Sequence, residues 1–63
     1  MDIPNHIEEK VEDYLRKNEP GFRKIRNIII ESEDNDSITY RVRYKEVVMG
    51  MSAEDTTYIT LPK

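Results

Sequence analysis

From Ser37 to Lys45 the chain alternates without a break: Ile38, Tyr40, Val42 and Tyr44 fall on one side, and Thr39, Arg41, Arg43 and Lys45 on the other. A strand repeats every two residues, so this pattern reads as a β-strand with an apolar, aromatic face and a cationic face. A helix would scatter both sets around its axis. Any fold of this chain must therefore cover the tyrosine face, and must either hydrate the cationic face or put it to use.

A second constraint lies upstream. Ile28-Ile29-Ile30 is a run of three β-branched residues, which in a strand point to both faces of a sheet. A strand is expected from Phe22 to Glu31. The segment Glu31-Ser32-Glu33-Asp34-Asn35-Asp36-Ser37 reads as a polar turn whose Asp and Asn residues tolerate unusual backbone angles. Downstream, Gly50 inside Val47-Val48-Met49-Gly50-Met51 marks a bulge or bend near the end of the alternating strand. Ser52-Ala53-Glu54-Asp55 reads as a second turn. Thr56 to Leu61 is then a third strand, with Thr57, Ile59 and Leu61 towards the core.

Only residues 4–18 have helical period, with Ile3, Ile7, Val11, Tyr14 and Leu15 on one apolar stripe. The helix starts either with Pro4 as its first residue or with Asn5 as N-cap and Glu8 three positions on. Glu12 with Arg16 and Asp13 with Lys17 are spaced for ion pairs, and Asn18-Glu19-Pro20-Gly21 ends the helix. The element order is α-β-β-β. The expected fold is α+β: one domain over 1–63, with an N-terminal helix packed on a three-stranded antiparallel meander.

A turn around Asn35 would place Ile30 beside Tyr40 and Ile28 beside Val42, under the helix. Ile25 and Ile29 would then share the outer face with Arg41, Arg43 and Lys45. Tyr40, Tyr44 and Tyr58 are expected to seal the edge of the core.

A chain of 63 residues has one thin core and buries only about 60% of the surface it would expose unfolded. It has no cysteine, which excludes disulfides and thiolate metal sites and suits a cytoplasmic location. Association into a homodimer is the remaining common way to stabilise so small a chain. Charged and hydrophobic residues each make up 37% of it, too apolar a balance for a disordered tail. The formal net charge of −3 does not favour bulk attraction to nucleic acid or anionic lipid. No apolar run is long enough to span a bilayer, and Met1-Asp2-Ile3-Pro4 does not open a signal peptide. A complete, small, cytoplasmic protein is expected.

The residues for catalysis are sparse. His6 stands alone at the start of the helix, and Ser32, Ser37 and Ser52 all fall in expected turns, so no catalytic residue and no cofactor is expected. Glu31 to Asp36 is rich in oxygen ligands but lacks the order of a calcium loop, so no metal site is expected either. The reading is a non-enzymatic protein-binding or regulatory module that self-associates through its sheet. Its binding face is Ile29, Arg41, Arg43 and Lys45, with the edge near Val48 to Met51 as a further contact. Methionines there offer adaptable apolar contact, although at least one is expected to fill the core.

Two alternatives use the same charges differently. A nucleic-acid-binding regulator would act through Arg41, Arg43 and Lys45, joined by Arg23, Lys24 and Arg26. Against it, the tyrosines alternate away from the arginines, and the acidic turn lies at one end of the same hairpin. An acidic inhibitor, with a charge pattern like that of a nucleic acid, would act through Glu8, Glu9, Glu12 and Asp13 on the helix.

Overall fold

The computed structural model describes residues 3–63 and contains α1 (Asn5–Asn18), β1 (Phe22–Glu33), β2 (Ser37–Val48) and β3 (Met51–Pro62). The strands form one antiparallel sheet in the order β1-β2-β3, so the fold is the expected α-β-β-β arrangement. Met1 and Asp2, which entered the reading of the N-terminus, lie outside the described residues.

Neither expected helix start is the observed one. Pro4 precedes the helix at φ −57° and ψ 146°, and its carbonyl accepts the N–H groups of Ile7 and Glu8 at 3.1 and 3.2 Å. Asn5 is already helical, and among the described residues no side chain caps the end. At the other end Glu19 turns extended while its N–H still donates to the Leu15 carbonyl at 2.8 Å. Phe22 N–H then donates to the Glu19 carbonyl at 3.0 Å, closing a turn over Pro20 and Gly21.

The first hairpin turns around Asn35, and Ile28 pairs with Val42 and Ile30 with Tyr40 as expected. Glu31, Ser32 and Glu33 belong to β1, however, and not to the turn. None of Asp34, Asn35 and Asp36 takes a positive φ. The second turn is also earlier than expected. Met49 (φ 54°) and Gly50 (φ 79°) form a two-residue hairpin loop, the left-handed pair that matches strand twist. Ser52 to Asp55 are therefore strand, and β2 and β3 pair in unbroken register from Val48↔Met51 to Ser37↔Pro62.

β1 is the irregular strand. Its register slips at Arg23, at Arg26 and at Glu31, each an extra residue in the ladder. Each bulge reverses which side the next residue faces. Phe22, Ile25, Ile28 and Ile30 consequently all meet the tyrosine side of β2, although their spacing is not two. This corrects the expected position of Ile25: it pairs with Tyr44 and packs against the core, while Ile29 alone of the isoleucines stays opposite Arg41.

The core comprises Val11, Leu15, Phe22, Tyr40, Val42, Tyr44 and Ile59, with Ile3, Ile7, Ile25, Ile28, Ile38 and Leu61 at its margin. Three further expectations fail. Tyr14 is 46% exposed, lying on the flank of the apolar stripe, and Tyr58 is 58% exposed because its neighbours Thr57 and Ile59 take the core side. Met49 and Met51 are exposed too, so neither fills the core. Length explains their exposure. Twelve-residue strands extend about 40 Å, and a 14-residue helix about 21 Å. The helix covers the sheet from Ile38 to Tyr44 and leaves the β2–β3 tip bare.

Candidate interaction surface

The helix packs on one face of the sheet, and among the described residues no element covers the other. Three adjacent rows of this open face carry its charged and aromatic groups. Ile29, Arg41 and Tyr58 lie side by side, next to Asn27, Arg43 and Thr56, and then Lys24, Lys45 and Glu54. The expected residues Ile29, Arg41, Arg43 and Lys45 are thus brought together. Lys24 joins them opposite Lys45, Arg26 joins from the second bulge, and Arg23 occupies the first.

Two carboxylates organise these cations. Arg43 Nη2 donates to Glu54 Oε1 at 2.9 Å, and Arg26 Nε lies 3.1 Å from Glu54 Oε2. The hydrogen bond from Arg43, helped by the charge of Arg26, holds the Glu54 carboxyl below the usual carboxylate range. Arg41 Nε is 3.8 Å from Glu31 Oε1, too long for a hydrogen bond. Lys24 and Lys45 make no ion pair among the described residues. The face keeps a surplus of positive charge around a half-buried isoleucine and an exposed tyrosine.

The sequence reading missed Tyr58 and Glu54. Parity held the signal for the first: if Thr57, Ile59 and Leu61 face the core, Tyr58 must face away. Glu54 was hidden because its segment read as a turn.

Acidic groups collect elsewhere. On α1, Glu8, Glu9 and Asp13 are exposed and Glu12 is half-buried, and Glu12 pairs with Arg16 at 3.6 Å. No Asp13–Lys17 pair forms among the described residues. A second cluster surrounds Tyr44, whose hydroxyl donates to Glu19 Oε1 at 3.2 Å. Burial, then that bond, raises the Tyr44 hydroxyl well above its ordinary value. Glu46 is raised as well, by desolvation and by the neighbouring carboxylate of Asp55.

The groups needed for chemistry are dispersed. His6 is exposed in the first turn of α1, and Ser32, Ser37 and Ser52 all sit in strands. Among the described residues no three His, Asp or Glu side chains converge where they could hold a metal, and no helix is long and apolar enough to cross a membrane. Comparison with known proteins finds no matching family model and no similar curated protein or solved structure.

Proposed function

We propose that this chain is a non-enzymatic protein-binding module whose open sheet face takes an acidic patch on a partner protein. The observation that carries the reading is the row Ile29–Arg41–Tyr58 on a face no helix covers. Protein contact surfaces combine aromatic and arginine anchors with a polar rim, and this row offers both types side by side. Face-to-face packing of two copies is disfavoured, because Arg41, Arg43 and Lys45 would meet their own like charges.

Capture experiments with charge-reversed variants test this. A partner retained by the unmutated protein should be lost on Arg41→Glu plus Arg43→Glu and kept on Glu9→Lys plus Asp13→Lys. The opposite pattern would transfer the function to the acidic helix and make the chain an acidic inhibitor of its partner.

One observation favours a second function. Tyr58 places a stacking group on the same face as the arginines, which is what single-stranded nucleic acid needs. That reading predicts retention on a DNA matrix that falls steeply with salt and is lost in Tyr58→Ala. The net charge of −3 and the pairing of Arg26 and Arg43 with Glu54 place it second.

A further inference from the structure

The two edges of the sheet are unlike each other. β1 is interrupted three times, at Arg23, Arg26 and Glu31, and a bulged strand presents no continuous ladder to a newcomer. β3 has no bulge along its whole length from Met51 to Pro62. We propose that β3 is a dimerisation edge, where two copies of this chain pair antiparallel to make one six-stranded sheet.

The hairpin geometry says which backbone groups are available. A two-residue loop makes Val48 and Met51 the closing pair that exchanges both hydrogen bonds, and every second pair follows suit. Met51, Ala53, Asp55, Thr57, Ile59 and Leu61 are thus tied to β2. The groups of Ser52, Glu54, Thr56, Tyr58 and Thr60 point outward. Val47 fits this alternation, its N–H turning the other way to the Gly21 carbonyl at 2.8 Å.

Outward groups and side-chain direction alternate together along a strand. All the outward-pairing residues carry their side chains on the open face. Antiparallel pairing of two β3 edges can therefore match only like faces, and both helices must lie on the same side. The two open faces merge into one continuous surface, with Tyr58 of each copy near the seam.

The edge suits a second copy of itself. β3 carries no cation, and its only acids are the adjacent Glu54 and Asp55. Pairing centred on Thr57 sets Glu54 against Thr60 and Asp55 against Ile59, and pairing centred on Thr56 sets them against Tyr58 and Thr57. Neither opposes like charges, and either forms roughly ten new backbone hydrogen bonds. One contact opposes it: Asp55 Oδ1 accepts the Thr56 N–H at 2.8 Å, so the central outward donor is already occupied. Asp55 acts as a brake on pairing.

Ultracentrifugation across a concentration series is the test. The expected result is a concentration-dependent doubling of the 7.5 kDa mass, with tighter association in Asp55→Ala and loss of association in Thr56→Pro, a substitution that spares the bonds to β2. Because the chain has no cysteine, Thr56→Cys and Thr57→Cys provide a check that does not depend on the proline variant folding. One of them should cross-link to dimer on oxidation, while Asn27→Cys on the bulged side should not. The proposal is overturned by monomer mass in both the unmutated protein and Asp55→Ala at every concentration. A dimer broken by Arg41→Glu and untouched by Thr56→Pro also overturns it. Loss of partner binding on Arg41→Glu with the dimer intact would instead bear only on the open face.

Discussion

Gly21 and Gly50 give the sharpest test of the packing, because they are glycines for opposite reasons. A Cβ built on Gly21 would lie 2.4 Å from the Val47 carbonyl oxygen and 3.3 Å from its carbon. Neither backbone can yield freely, since Val47 N–H donates to the Gly21 carbonyl across the same gap at 2.8 Å. Overpacking of this kind costs roughly 1–3 kcal/mol, and a lost backbone hydrogen bond about 1. Gly21→Ala should therefore cost about 2–4 kcal/mol, against a total of about 3–9 for a chain of this length. At 4–8 °C per kcal/mol, roughly, the melting temperature should fall by about 10–30 °C. Gly50 sits at φ +79° with nothing within 4 Å of its built Cβ. There alanine meets only backbone strain, about 1–2 kcal/mol. Thermal unfolding followed by circular dichroism compares the two. A Gly21→Ala variant no less stable than Gly50→Ala would refute the close approach of the α1–β1 turn to the β2 backbone.

Other consequences can be checked on the same purified chain. Leu15→Ala, at a position with no exposed surface, should cost about 2–5 kcal/mol, whereas Tyr14→Ala, 46% exposed, should cost well under half of that in the same denaturation assay. Glu46 is raised in the folded state, so the folded chain holds its proton more tightly and stability falls as pH rises from the ordinary carboxylate range through the raised value. Glu46→Gln should remove that decline and leave the variant the more stable of the two at neutral pH, an outcome read from pH-dependent melting. Glu54 is lowered and works in the opposite sense, its stabilisation being lost as pH falls through the lowered value. Glu54→Gln should also free Arg26 and Arg43 and increase retention on an anionic matrix at low salt.

The fold was legible where local pattern and tertiary structure agree. β2 alternates because it is the central strand, paired on both sides without a slip against β3, and its two faces meet different surroundings. The helix was legible for the same reason, with Val11 and Leu15 fully buried at helical spacing. β1 was only partly legible. Its residues on the tyrosine side, Phe22, Ile25, Ile28 and the more exposed Ile30, are spaced by three, three and two, a pattern that neither strand nor helix period describes and that only the bulges explain. β3 was misjudged at its start because Ser52-Ala53-Glu54-Asp55 has turn composition. Lying beyond the helix on an edge, that segment buries no apolar side chain, so nothing in it had to be hydrophobic. Tyr58 was misplaced by a general preference of aromatic residues for half-buried positions, although the parity of Thr57 and Ile59 already contradicted it.

The open face and the β3 edge rest on different forces, and ionic strength separates them. Binding through Arg41, Arg43 and Lys45 is electrostatic, and at about 0.5 M salt the screening length shrinks to roughly 4 Å, so an acidic partner should dissociate. Edge pairing is made of backbone hydrogen bonds, and along β3 the only charges, Glu54 and Asp55, do not face each other across the seam. Salt should leave the dimer intact or favour it slightly. If the two surfaces act together, dimerisation sets two cationic faces side by side on one sheet, and avidity makes partner binding depend on protein concentration as well as salt. Thr56→Pro should then weaken capture by a dense acidic surface without changing the affinity of a single soluble copy of the partner. Equal losses on both would mean that the proline disturbs the open face itself, and the separation of edge from face would fail.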